Sequence, residues 1–163
     1  MKTLVLFDFT PNSDLGNWQV VDDGVMGGRS KSELLIGKEG HGVFKGAVSL
    51  ENNGGFSSVR LNMDKTAIGE TKNVVLRIMG DGNKYQFRIK ANSNDFYNYV
   101  AYFETSGAWE TLTIPLASFY PNFRGRALDA PNFDKAFLQE IGILIGNKKA
   151  EQFRLEIDFI KLE

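Results

Sequence analysis

The chain has 163 residues, 42% of them hydrophobic, with 13 Phe, 5 Tyr and 2 Trp. This length suits one domain over residues 1–163, with enough apolar surface to fold without disulfide or metal staples. Charges of 19 Lys and Arg against 20 Asp and Glu give no long-range field to gather nucleic acid, and the absence of cysteine excludes disulfides, thiolate metal sites and cysteine nucleophiles.

Taken in chain order, Met1–Thr10 reads as a strand over Leu4–Phe9. Its apolar run is too short for a secretory h-region and lacks the Arg and Ser of a transit peptide, so a bacterial cytoplasmic location is expected. No apolar run approaches a membrane span. Thr10–Ser30 is a long irregular stretch containing Gly24-Val25-Met26-Gly27-Gly28-Arg29. It lacks the Lys-Ser/Thr pair of a phosphate-binding loop, so its glycines are read as permitting sharp turns. Met26 and Trp18 then plug one end of the fold, and Arg29 reaches outward or pairs with an acid. Strands are predicted at Ser32–Ile36, Gly42–Leu50, Phe56–Met63, Asn73–Met79 and Tyr85–Ala91, with Asp64–Lys72 irregular and Gly80-Asp81-Gly82-Asn83 as a hairpin turn.

Further strands follow at Asn98–Thr105, Trp109–Pro115, Glu140–Ile145 and Phe153–Leu162. They are separated by a long irregular stretch, Leu116–Lys135, and at most one short helix within Asp134–Glu140, capped by Asp134. Alternation is clear where Tyr85, Phe87 and Ile89 oppose Gln86, Arg88 and Lys90, so such strands bury one face. Antiparallel strands without intervening helices, joined by several long connections, predict an all-β jelly-roll sandwich.

Catalytic constellations are missing. The one histidine, His41, lies between glycines and is read as a solvated turn residue, and one His without Cys cannot build an ordinary zinc site. Asp22, Asp23, Asp64, Asp81 and Asp158 supply oxygens of the kind calcium needs, but without EF-hand spacing, so no metal or cofactor is expected. The acids are scattered as on solvated strand faces, and none forms an evident glycosidase pair. The chain is therefore expected not to be an enzyme.

One polar set does stand out. Arg60, Arg77, Gln86, Arg88, Tyr102 and Glu104 occupy alternating strand positions, and if their strands are neighbours they share one sheet face. Such a face is either a groove for planar polar groups, sugars or peptide carbonyls, or a solvated, salt-bridged surface. In Phe123-Arg124-Gly125-Arg126 the two guanidiniums either clamp loop carbonyls internally, the preferred reading, or face a partner. Trp109 either covers a sandwich end or forms an exposed binding hot spot.

The segment Trp18–Ser32, WQVVDDGVMGGRSKS, resembles the signature of the complex I intermediate-associated protein 30 family. Similar segments follow in order: Phe44-Lys45-Gly46, Asn53 through Arg60, Gly80-Asp81-Gly82 with Tyr85, Trp109, Phe119 with Phe123 through Arg126, Ile141-Gly142 and Phe153 through Ile157. The resemblance implies a galactose-binding-like jelly roll that binds rather than catalyses. The implied partner is a protein, a respiratory-complex subunit or assembly intermediate, with a chaperone-like role; carbohydrate binding through the polar groove is the alternative. Within the resembling motifs, Arg29, Arg60, Trp109, Arg124 and Arg126 are candidate contacts, joined by the groove residues Arg77, Gln86, Arg88 and Tyr102. Trp18, Asp23, Gly24, Met26, Gly27, Gly28, Asp81 and Tyr85 are expected to be structural.

Overall fold

The computed structural model describes residues 3–23, 28–51 and 55–163. Its strands are β1 (Leu4–Asp8), β2 (Trp18–Asp22), β3 (Lys31–Ile36), β4 (Gly42–Val48), β5 (Ser57–Ala67), β6 (Asn73–Met79) and β7 (Lys84–Lys90), followed by β8 (Asn98–Glu104), β9 (Trp109–Pro115), β10 (Tyr120–Phe123), β11 (Arg126–Ala127), β12 (Phe137–Ile145) and β13 (Glu151–Leu162). They form two antiparallel sheets. The smaller has six strands in the order β3-β4-β13-β6-β9, with β1 also on β13, and the larger has seven in the order β11-β10-β8-β7-β12-β5-β2. The architecture is the expected all-β jelly roll.

Alternation explains the packing. Tyr85, Phe87 and Ile89 of β7 and Ile141, Ile143 and Ile145 of β12 point inward from the larger sheet and are almost wholly buried. They meet Val74, Leu76 and Ile78 of β6 and Leu155, Ile157 and Ile160 of β13 from the smaller one. Each of these large side chains contributes about 2 kcal/mol through removal from water. An aromatic contact ties the layers together, with Tyr85 of the larger sheet 6.4 Å edge-on to Phe153 of the smaller. Trp18 is part-buried against Phe7 and Phe9, at 5.4 and 5.6 Å.

Two expectations are corrected, at Gly80–Asn83 and in the long loops, while the ceiling of one short helix within Asp134–Glu140 holds with a strand in its place. Gly80–Asn83 is not a hairpin turn, because β6 belongs to the smaller sheet and β7 to the larger, so the chain crosses the sandwich there. A Cβ on Gly80 would lie 2.2 Å from Thr105 Cβ, so only glycine lets the crossing run this close to the neighbouring strand end. Residues 134–140 form no helix; β12 starts at Phe137, and its register shift between Leu138 and Glu140 disrupts the alternation that would mark a strand. The stretches read as long loops hold β2, β10, β11 and a 3₁₀ turn at Leu116–Ser118, while β5 runs on to Ala67.

Candidate functional site

The outer face of the larger sheet is built by register. Arg60 of β5, Gly142 of β12, Arg88 of β7, Val100 of β8 and Tyr120 of β10 stand in one row across five strands. The next row holds Ser58, Leu144, Gln86 and Tyr102. Every residue of these rows is out of phase with the core residues beside it, so the face is set by the alternation that builds the core. Of the six polar residues expected to share a face, Arg60, Gln86, Arg88, Tyr102 and Glu104 do so.

At the centre, Gly142 leaves the floor open between the two arginines. A Cβ there would lie 2.8 Å from the Val59 carbonyl oxygen and 3.5 Å from Arg60 Cγ. Arg60, Arg88, Asn98, Glu140 and Gly142 line this small hollow. Arg88 Nε donates to Gln86 Oε1 at 3.0 Å, and Gln86 Nε2 donates onward to Tyr102 Oη at 3.2 Å. Gln86 is buried, so these bonds hold it and one edge of the guanidinium in a fixed geometry. Among the described residues neither Arg60 nor Arg88 forms an ion pair. Burial and the neighbouring Arg60 charge push Arg88 down to about 10, which leaves it cationic at neutral pH. Burial and the adjacent Tyr102 phenol push the Tyr120 hydroxyl up, so it stays a neutral donor.

Toward the start of β7 the face becomes basic. Lys84 Nζ sits 4.6 Å above the Tyr102 ring, a cation–π contact. Lys84, Tyr102, Asn147, Lys148 and Lys149 surround an open depression of about 500 Å³. At the opposite end, Glu140 pairs in register with Lys90, whose Nζ donates to the Asp95 carbonyl at 2.8 Å.

Arg77 is absent from this face. Its side chain does alternate outward, but β6 lies in the smaller sheet, where Arg77 Nε contacts Asp158 Oδ2 at 3.3 Å and the guanidinium covers Trp109 at 5.3 Å. Trp109 is part-buried there, 4.6 Å from the His41 ring, so it neither closes a sandwich end nor stands free. His41 is accordingly no solvated turn residue: it is part-buried, and its Nδ1 is enclosed without a hydrogen-bond partner. Arg124 and Arg126 are exposed on the β10–β11 hairpin rather than clamped internally. Arg124 lies 5.2 Å over Phe123 with a left-handed φ of 50°, and Gly125 takes the next left-handed position. Arg29 is exposed.

Of the motif residues expected to be structural, Asp23, Gly28, Asp81 and Tyr85 make the following contacts. Buried Asp23 accepts from Ser30 N at 2.9 Å, Gly55 N at 2.7 Å and Phe56 N at 3.3 Å, and from the Ser30 hydroxyl. Burial alone would raise its pKa, but these hydrogen bonds outweigh burial and hold the carboxyl below the usual range. A Cβ on Gly28 would lie 2.3 Å from Asp23 Oδ1, so that position must stay bare. Asp81 accepts from Asn83 N, Asn83 Nδ2, Tyr85 Oη and, at 2.7 Å, Arg154 N, joining the crossing segment to β13. Gly24, Met26 and Gly27 lie outside the described residues, so the plug assigned to Met26 does too. The face also contains Asn98, Tyr120, Glu140 and Gly142, which sequence reasoning missed as site residues, although Ile141-Gly142 stood in the resembling segments. Among the described residues no three acidic or imidazole side chains gather as metal ligands, since Asp22, Asp23, Asp81 and Asp158 bond to the protein itself.

Comparison with known proteins bears on both fold and identity. The chain is similar to a family 11 carbohydrate-binding module from Clostridium thermocellum in complex with a β-1,3-1,4-mixed-linked tetrasaccharide, with a TM-score of 0.72, 18% identity, and 98% of this chain and 94% of that one covered. It is 27% identical over 99% of its length to the mitochondrial complex I intermediate-associated protein 30 of Drosophila melanogaster, and 25% identical over 96% to that of Mus musculus. It spans 63% and 55% of those two proteins. Their mitochondrial designation overturns the expectation of a bacterial cytoplasmic protein, which rested on the residue types of Met1–Thr10 alone. Since residues 7–157 match its defining domain, the chain belongs to the complex I intermediate-associated protein 30 family.

Proposed function

We propose that this chain is a non-enzymatic binding module that engages protein partners during respiratory complex I assembly, using the outer face of the larger sheet. Family membership over residues 7–157 supports the process. The observation that carries the reading of the face is the Arg60–Gly142–Arg88 row: two guanidiniums on one sheet face, Arg88 held by the neutral Gln86 and neither in an ion pair among the described residues. Guanidiniums left in this state are costly unless another molecule meets them, and Arg is enriched where protein surfaces dock. The test is affinity purification of the tagged chain from mitochondria of its native organism. Recovery of complex I subunits or assembly intermediates by the wild type, reduced by Arg60→Gln, is the expected result, and recovery of none counts against the reading.

A second reading is carbohydrate binding on the same face. It draws on Gln86, Tyr102 and the arginines as sugar-facing groups and on the likeness to a module crystallised with a tetrasaccharide. Affinity electrophoresis through mixed-linkage β-glucan tests it: retardation lost in Tyr102→Ala supports it, and unaltered mobility of the wild type removes it.

A further inference from the structure

The geometry points to an acidic protein segment as the occupant of this face, one of its carboxylates clamped between the Arg60 and Arg88 guanidiniums above Gly142. The inference rests on the protein-binding reading and adds the chemistry of the partner. Arg60 and Arg88 flank β12 on neighbouring strands, about 9–10 Å apart at the backbone. Two like charges at this range repel, and an anion seated between them removes the repulsion while gaining charge-assisted hydrogen bonds. The site is preorganised for such a guest: Gln86 engages Arg88 through Nε, leaving the terminal nitrogens for a carboxylate, and the bare Gly142 keeps the floor free.

The charges also set the direction of the segment. Glu140, on the floor one row from Gly142, repels an anion at that end, and Lys90 in register beside it has its ammonium engaged by the Asp95 carbonyl. Lys84, Lys148 and Lys149 gather at the other and outnumber Glu104, which stands in register with Lys84. This is a local basic track on a chain whose net charge is −1. Lys84 stands four residues from Arg88 on β7, about 13 Å at roughly 3.3 Å per residue. An extended peptide with acids about four residues apart therefore reaches both the clamp and the lysines. A neutral glycan leaves both guanidiniums without a counter-charge, which is why a protein acid fits better.

Fluorescence anisotropy with a labelled peptide carrying Glu at positions four apart, against its Gln isostere, tests the proposal. The wild type and a Lys45→Gln control on the other sheet are expected to bind the acidic peptide, and the Gln isostere about tenfold or more weakly. Arg88→Gln and Arg60→Gln are each expected to lose about tenfold for the acidic peptide, and binding should weaken as salt rises. Thermal melts check folding, and Arg60→Gln carries the test if Arg88→Gln proves unstable. Equal affinity for the two peptides, no loss in a folded arginine variant, or tighter binding of a uronate oligosaccharide or anionic phospholipid vesicles overturns the proposal. If these results appear while mitochondrial partners are still captured, the clamp alone fails; if the wild type captures no mitochondrial protein, the reading beneath it fails.

Discussion

Asp23→Asn removes the charge of a buried carboxylate while keeping its shape, so the outcome reports the hydrogen bonds to the carboxylate net of its desolvation. Four donors converge on Asp23: Ser30 N, the Ser30 hydroxyl, Gly55 N and Phe56 N. Each hydrogen bond to a charged acceptor contributes about 1.5–3 kcal/mol, and the amide would also turn an NH₂ group toward some of these donors. Because the bonds share one acceptor they are not additive, and a net loss of about 4 kcal/mol follows. For a chain of this size that lowers Tm by about 8–16 °C. The hydrogen bonds hold the folded pKa below the unfolded one, so the carboxylate's contribution is complete above the unfolded value near pH 4 and is lost as pH falls through the folded value. The gap in Tm between wild type and variant should therefore be full at pH 7 and narrow below about pH 4. Differential scanning calorimetry across that range measures it, with Asp14→Asn as a control whose exposed carboxylate caps only Gly16 N, at 2.8 Å. A Tm within about 2 °C of wild type at pH 7, or a gap that does not narrow in acid, refutes the account.

Gly46→Ala should be strongly destabilising, by about 3 kcal/mol or more, because its Cβ would lie 2.1 Å from the Lys31 carbonyl oxygen and pry β3 from β4. Gly107→Ala, with nothing within 4 Å, should stay within about 0.5 kcal/mol, and urea titration of both checks the contrast. Tyr85→Phe removes a buried donor to Asp81, and a loss of about 1 kcal/mol in chemical denaturation is expected. Phe96→Ala, at a ring 66% exposed, should leave stability nearly unchanged by the same measurement.

The sequence made the strands of the core plain, because Tyr85, Phe87, Ile89 and their counterparts alternate without interruption. It also made most of the polar face plain, since an outward position is the complement of an inward one. Arg77 marks the limit of that logic: alternation says which way a side chain points from its own strand but not which of two sheets receives the strand. Gly80–Asn83 hid the same information, because a glycine-rich turn that reverses a hairpin and one that crosses a sandwich use the same residues. Gly142 could not be recognised as the floor of a site until register set it between Arg60 and Arg88. His41 and Trp109 were misread because their packing depends on a contact between segments far apart in the chain. Asp23 was legible as structural from the motif, but its partners at Gly55 and Phe56 lie more than thirty residues away.

The pairing of β13 has a consequence for how the chain is made. This strand runs through the middle of its sheet, with β4 and then β1 along one edge and β6 along the other, yet it is translated after all of them. The β3–β4 and β6–β9 pairs therefore leave the ribosome with open edges on β4 and β6 that cannot be joined until Glu151–Leu162 arrives. Nascent chains of this protein thus pass through an obligatory sticky interval, and a stop codon near residue 150 would trap them there.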